Sequence, residues 1–373
     1  MKILYVITRA NWGGAQAHLF ELIKEAMHRG ITCEVVVGEK GEFMDRVHKL
    51  GGVVHYIPEL VHPIRPIQDM RAIYQLYKLI KEKAPTFVHA HSTKAGTVAR
   101  IASFFARVPV IFTVHGWAFA EGVPKFRKRV AFIIERIMGY FPAKFICVSQ
   151  YDKNIALENK VVRAEKVVTI PNGVMDLASD ERKQGGINDK FTIIMVARFA
   201  MPKDQDTVLK ALAMLEIDDR MQTEVIFIGD GDMWEHSRRL AKKLEIEDRV
   251  TFLGKCNMQE VQKCLQQSDV FVLISNHEGL PLSVIEAMSC GLPIIATDVG
   301  GMRELVRDRE NGYLIKKGDC FQLKTYIQGL KRNPKLVQDF GNESRKVFEC
   351  EFTIQHFLES TFRFYDANFI GKQ

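Results

Sequence analysis

Short apolar runs rich in β-branched residues alternate along the chain with longer stretches whose apolar positions recur every three or four residues. The first pattern suits buried strands and the second amphipathic helices. In the first half the strand-like runs are 2–7, 33–37, 53–57, 86–89, 109–114, 144–148 and 166–170, with helical stretches such as 15–28, 67–83 and 97–106 between them. The rhythm restarts with 191–196, 224–228, 250–253, 269–274, 293–297 and 312–315. Strands alternating with helices predict parallel sheets joined by crossover helices, an α/β chain. Pro171-Asn172-Gly173, then the polar stretch 178–190 with Gln184-Gly185-Gly186, is the best linker signal. We therefore expect two Rossmann-like doubly wound domains, 1–172 and 173–352, facing a cleft. The aromatic-rich end, 353–373, should form a helix that packs back across the domains. Ligands of such sheets bind beyond the carboxyl ends of the strands, where helices begin.

Composition agrees and narrows the class. A chain of 373 residues, 47% hydrophobic and 26% charged, without repeats or low-complexity tracts, suits two soluble globular domains. The apolar run at 1–7 is shorter than the core of a signal peptide, and no run approaches the roughly 20 residues that span a bilayer. Seven cysteines, an odd number with no C-x-x-C, read as reduced thiols. A cytoplasmic location is expected. Charge is uneven: residues 1–172 hold 25 Lys/Arg against 14 Asp/Glu and eight of the eleven histidines, while the remainder holds 27 against 31. A basic half suits an anionic partner such as a phosphate-bearing substrate or an acidic membrane surface.

The richest motif is Glu278-Gly279-Leu280-Pro281-Leu282-Ser283-Val284-Ile285-Glu286, after the run 269–275. Gly279 lets backbone approach a ligand, and Pro281 suits a first helical position. Free amides and the dipole of that helix start make an anion seat. Carboxylates on both sides suit a ligand carrying hydroxyls as well as phosphate, as a nucleotide-sugar does. Arg198, after the strand 191–196, and Lys203, before a helix, are placed to neutralise a leaving diphosphate. Gly13-Gly14 in the first strand-to-helix turn lets amides come close to phosphate or sugar. Asp230-Gly231-Asp232 and Asp204-Gln205-Asp206 have a spacing that can hold a divalent metal. Neither has an obvious third ligand, and aspartate is ordinary at turns and caps. No metal site and no cofactor are expected. His89-Ala90-His91 and His115-Gly116 end strands of the basic half. A zinc site there lacks a nearby cysteine or acid, whereas a neutral histidine can support developing charge. We assign that role to His115; His91 stays open between cleft and core. The segment 124–140 sets Lys125, Arg127, Lys128, Arg129 and Arg136 among Phe126, Val130, Phe132, Ile133, Ile134 and Ile137. It reads either as a helix on an anionic membrane surface or as a domain helix packed on the sheet. It has no aromatic platform for bases, so no nucleic-acid partner is expected.

Taken in order, these motifs resemble retaining glycosyltransferases of the GT-B fold, specifically glycosyltransferase family 4. The likeness rests on Gly13-Gly14, Val88-His89-Ala90-His91-Ser92, Thr113-Val114-His115-Gly116, Val148-Ser149 and Ile170-Pro171-Asn172-Gly173-Val174. It continues through Arg198 with Lys203, Gly229-Asp230-Gly231, Phe252-Leu253-Gly254, Glu278 with Glu286, Gly291-Leu292-Pro293 and Gly300-Gly301 with Glu304. Met302 departs from a position that is often small or proline. The resemblance implies a nucleotide-diphosphate sugar donor, by family tendency UDP-linked, bound in the second domain. Phe252, Leu253, Gly254 and Lys255 would surround the base and Glu286 the ribose. Arg198, Lys203 and the amides of Leu280 to Leu282, in the turn after Gly279, would hold the diphosphate, near Gly229. Glu278 would contact the sugar, and His115 the reacting centre. Gly13, Gly14, His91 and Asn172 would complete the substrate site. The histidine wording looks most like enzymes building bacterial capsule, exopolysaccharide or lipopolysaccharide on a lipid-diphosphate acceptor, at the inner face of the membrane. Alternatives on the same plan are a nucleotide-sugar 2-epimerase, a transferase using metal at Asp230 and Asp232, and a non-catalytic carbohydrate-binding subunit.

Overall fold

Nearly continuous apolar strands need cover on both faces, and here they form two parallel sheets flanked by helices. The computed structural model describes residues 1–121, 123, 125–178 and 190–369. Most of the linker stretch 178–190, including Gln184-Gly185-Gly186, lies outside them, as do Pro124 and the side chain of Arg127. The chain divides into two compact units, Met1–Asn172 with Gln355–Gln373, and Gly173–Ile354.

The first unit runs β1 (Lys2–Ile7), α1 (Gly14–His28), β2 (Thr32–Val37), α2 (Glu42–Lys49), β3 (Val53–Tyr56), α3 (Pro66–Lys83), β4 (Phe87–Ala90), α4 (Thr93–Ala106), β5 (Val110–Val114), α5 (Lys125–Met138), β6 (Lys144–Cys147), α6 (Gln150–Glu158) and β7 (Val167–Thr169). Its sheet order is β3-β2-β1-β4-β5-β6-β7, every pair parallel. The order reverses at β1 and β4, where Ile3 to Val6 pair with Phe87 to Ala90. Helices on opposite faces leave a crevice at such a reversal.

The second unit runs β8 (Phe191–Val196), α7 (Gln205–Ala213), α8 (Ile217–Met221), β9 (Thr223–Ile228), α9 (Trp234–Lys243), β10 (Val250–Gly254), α10 (Met258–Gln266), β11 (Val270–Leu273), α11 (Leu282–Ser289), β12 (Ile294–Thr297), α12 (Met302–Leu305), β13 (Gly312–Ile315), α13 (Cys320–Lys331) and α14 (Pro334–Glu351). Its order, β10-β9-β8-β11-β12-β13, reverses at β8 and β11. These are the strands that lead to Arg198 and Glu278. The expected α/β architecture of two doubly wound sheets is present.

The last helix, α15 (Ile354–Phe369), makes its ring contacts in the first unit. Phe357 lies against His18, Tyr365 against Phe87, and Phe369 stacks on Phe87 at 4.5 Å. The sequence treats 353–373 as a separate segment. These buried aromatics instead make it part of the first unit, completing a core that the chain began some 270 residues earlier, as in the hydrogen bond of Tyr365 to His89 (276 apart).

Candidate active site

In the second unit the loop after β8 is stitched to two neighbouring strand ends. Ala197 N donates to Ile228 O and Phe199 N to Asp230 O, so residues 197–199 run beside 228–230. Gly229 is needed there: its φ is 139°, and a Cβ would lie 2.1 Å from Ala197 O. Arg198 projects from this segment, exposed. Further on, Lys203 bridges Ser275 and Asp204 N donates to Ile274 O. That pairing sets Lys203 Nζ 2.5 Å from Glu278 Oε1, both side chains largely buried.

The Glu278–Gly279 turn is clamped from the end of β12. Gly301 N donates to Gly279 O at 3.0 Å, and Gly300, at φ 56°, abuts the turn so closely that a Cβ would lie 1.8 Å from Glu278 O. Pro281 is the N-cap of α11, with ψ 125° and no side-chain cap. The helix therefore starts one residue later than its proline suggests. Pro281 has no amide hydrogen, so the first helical amide is that of Leu282. The start of α7 is different: Asp204 caps it, accepting from Thr207 N at 3.1 Å and Thr207 Oγ1 at 2.7 Å. Asp206 is engaged by His236 at 2.8 Å, while Asp230 and Asp232 are exposed.

Within α11, burial pushes the Glu286 carboxyl up to about 7. At β10 the ring of Phe252 stacks on Phe227 and meets Trp234 edge-on. Its ring is half-buried, and the neighbouring side chains of Leu253 and Lys255 are exposed. Gly254 O accepts from Gly229 N at 2.8 Å, which joins this strand end to the Arg198 loop.

In the first unit Gly13 is the uncapped N-cap of α1, in ordinary extended backbone, and Gly14 begins the helix. The Trp12 ring beside them is held by Arg46, whose guanidinium lies 3.8 Å from its centroid. Strands β4 and β5 carry the histidines inward. The Nδ1–H of His18 donates to Asn172 Oδ1 at 2.9 Å, leaving Nε2 as a lone pair; Asn172 is itself buried. His89 sits between Tyr365 Oη and Thr113 Oγ1, 2.7 Å from each. His91 Nδ1 is 3.4 Å from His115 Nε2, and its Nε2 is buried without a partner. Burial first, and then neighbouring imidazoles, hold His91 and His115 well below the usual histidine value; burial and His18 do the same for His89, and burial lowers His18 to about 4. The cluster is neutral at pH 7. Among the described residues one group could hold a metal ion: His18, His91 and His115, with ligand atoms within 4.8 Å of one another.

The loop that carries His115 is tied to α6. Trp117 Nε1 donates to Asp152 O at 2.9 Å, Trp117 N to Asp152 Oδ1 at 3.3 Å, and Ser149 Oγ to Asp152 Oδ2 at 2.7 Å. Trp117 and Asp152 are fully buried.

Known proteins carry the same plan. Residues 12–176 match the model "Glycosyltransferase Family 4", and residues 178–347 match "Glycosyl transferases group 1". The UDP-Gal:alpha-D-GlcNAc-diphosphoundecaprenol alpha-1,3-galactosyltransferase of Escherichia coli is 32% identical over 74% of this chain and 73% of its own length. This chain belongs to glycosyltransferase family 4. It is also 30% identical to the putative glycosyltransferase EpsD of Bacillus subtilis, over 78% of this chain and 79% of that one. The crystal structure of HepE from Anabaena, in complex with UDP-glucose, superposes with a TM-score of 0.83 over 98% of this transferase and all of that chain, at 23% identity. The GT-B fold and glycosyltransferase activity follow, with relatives named for O-antigen and capsule synthesis.

Sequence reasoning missed His18, Asp152 and Tyr365 of the family 4 enzyme. Ser149-Gln150-Tyr151-Asp152 carries the spacing of a capping box, which could have flagged the Asp152 knot. His18 reads only as one more buried position on the apolar face of α1, and Tyr365 as an aromatic of a terminal helix. Neither has a local signal.

Proposed function

We propose that the enzyme transfers a hexosyl unit from a UDP-sugar to a hydroxyl of a lipid-diphosphate-linked glycan, with retention of configuration and without a metal. The observation that carries this reading is Lys203 beside Glu278 at the uncapped start of α11. A cation, a carboxylate and free helix amides meet at one strand end, with Arg198 on the neighbouring loop. A departing diphosphate gains negative charge, and Arg198, Lys203 and the amides from Leu282 onward would stabilise it without reorganising. Glu278 would then accept from donor-sugar hydroxyls, and Glu286 from the ribose. The name of the Escherichia coli relative supplies both halves of the substrate pair, a UDP-sugar and a diphosphoundecaprenol-linked acceptor.

Retention is inferred from chemistry. Glu278, the acid nearest the seat, is engaged by Lys203 and so is a poor free nucleophile. Same-face displacement, in which the leaving phosphate oxygen takes the acceptor proton, needs no protein nucleophile. In the first unit, neutral His115 would face the reacting centre, and α5 would lie on the anionic inner face of the membrane. Among the described residues no helix is long and apolar enough to cross a membrane.

Replacing Arg198 or Lys203 by Ala should lower kcat about 100-fold or more, because each removes a charge-stabilising donor. Near-wild-type turnover in both variants would refute the assignment. Turnover should persist in EDTA. A second reading has one observation behind it, the His18–His91–His115 group with its orphaned His91 Nε2. Activity lost in EDTA and restored by Zn²⁺ would favour that one. The anomeric configuration of the product, read by NMR, decides retention.

A further inference from the structure

A cavity of about 380 Å³ opens in the first unit where the loop after β5 meets α5 and α6. Its apolar wall includes Phe119, Phe132 and Tyr151, and its cations are Lys125, Lys128 and Arg129. The wall is fixed. Phe119 stacks on buried Trp117 at 5.0 Å and meets Phe132 edge-on at 5.9 Å. The inner face of α5 is pinned by a buried pair, Arg100 to Glu135 at 2.7 Å. The three cations are exposed and have no ion-pair partner among the described residues; the single acid in the lining is Glu121. Ordinary surface cations over a sheet need no cavity, and an ordinary apolar cavity is not edged by three unpaired cations.

The outer face of α5 adds a second element. Phe126 is 80% exposed, and Ile133 and Ile137 are at least half exposed, at 50% and 56%. Tyr140, just past the helix, is 89% exposed. Unpaired positive charge at the mouth of an aromatic slot, continuous with an uncovered apolar helix face, complements a molecule with an anionic head and a hydrocarbon tail. A nucleotide has the charge without the tail. Phe119 also follows His115 by four residues on the same loop, so the two lie within about 15 Å. A short lipid-linked glycan spans that reach.

We propose that this cavity seats the diphosphate of the lipid-linked acceptor, held by Lys125, Lys128 and Arg129, with its hydrocarbon along the outer face of α5. The assignment rests on the lipid-linked acceptor reading above, and it names the subsite on which that acceptor would bind.

Titration calorimetry on the full chain, with UDP saturating the diphosphate seat proposed in the second unit, tests it with three soluble probes: farnesyl diphosphate, farnesol and inorganic pyrophosphate. Farnesyl diphosphate should bind at least about tenfold more tightly than either fragment, since only it fills both halves of the site. The triple variant Lys125→Glu, Lys128→Glu, Arg129→Glu should lose at least that much for farnesyl diphosphate. A Lys125→Arg, Lys128→Arg variant should retain binding, and both UDP affinity and the urea unfolding profile of all of them should match wild type, which certifies that both units fold. In flotation assays, neutral vesicles doped with a polyprenyl diphosphate should capture wild type but not the triple variant. Unchanged farnesyl diphosphate binding in the triple variant, or equal affinity for pyrophosphate alone, overturns the proposal. Loss of capture in the triple variant on phosphatidylglycerol vesicles with no loss on the diphosphate-doped ones also overturns it, because the three cations would then read surface charge alone. A protein that binds farnesyl diphosphate here yet glycosylates only acceptors without diphosphate keeps the site and sinks the acceptor reading.

Discussion

Glu286 is a residue whose environment and proposed role pull in opposite directions. Without ligand, burial raises its carboxyl to about 7, so the folded state holds a proton that the unfolded chain releases near 4.5. A raised carboxyl costs stability above the unfolded value; the cost grows up to about pH 7 and is constant beyond. Glu286→Gln should therefore stabilise the ligand-free protein at alkaline pH by up to about 3 kcal/mol. Urea denaturation reads this directly, and equal or lower stability in the variant counts against a raised, uncompensated carboxyl. The ionised form is the better acceptor for ribose hydroxyls. UDP affinity of the wild type should thus rise about tenfold from about pH 6 to about pH 8, and the variant should show no such rise. Lys203 and Glu278 were legible as single residues, because strand-end position and residue type define their chemistry. Their contact was not, being 75 residues apart in sequence.

Elements repeat where residues do not announce it. In each unit the first strand leads to an arginine whose carbonyl accepts from a glutamine seven residues on: Gln16 Nε2 to Arg9 O and Gln205 Nε2 to Arg198 O, both 3.0 Å. The same strand–loop–helix device holds both loops open at the carboxyl edge of their sheets. Helix α5 is tied to α4 by a buried ion pair. Its buried pair leaves Arg100 Nη1 and Glu135 Oε1 without partners, so the tie to α4 is tight but incompletely satisfied. Glu135→Ala strands a buried guanidinium and should cost about 3–5 kcal/mol, whereas Arg100→Met with Glu135→Leu should cost much less. Equal losses in the single and the double variant would mean that packing, not charge, holds the helix. The basic amphipathic pattern at 124–140 left two readings open, membrane face or sheet face. The helix does pack inward through Ala131, Phe132, Glu135 and Met138, and it also leaves Phe126, Ile133 and Ile137 uncovered.

At the scale of the molecule, the clustered histidines, three buried and His115 half-buried, set the acid limit. His18, His89, His91 and His115 are held neutral, with folded values below the roughly 6.5 of an unfolded histidine. A lowered histidine leaves stability intact above the unfolded value and takes it away as pH falls below. Each can remove up to about 1.4 kcal/mol per pH unit. Four such groups outweigh the opposite trend from Glu286. The urea midpoint should be nearly flat from about pH 8 to about pH 6.5 and then fall steeply toward about pH 5. A flat profile through that range would show that the cluster takes protons in the folded state.

The chain's own pattern determined the architecture, since the alternation of apolar runs and amphipathic stretches is a local property that burial on both faces of a parallel sheet requires. It also determined which strand ends carry charge and glycine, because turns and helix starts depend on near neighbours. Tertiary structure alone decided which distant groups touch: Tyr365 on His89, Asn172 on His18, Asp152 under Trp117. Such contacts depend on where crossovers deliver whole elements, and no local periodicity encodes that. Phe252 makes the same point from the other side: its motif suggests substrate contact, and only the folded chain shows its ring stacked on Phe227 from the neighbouring strand.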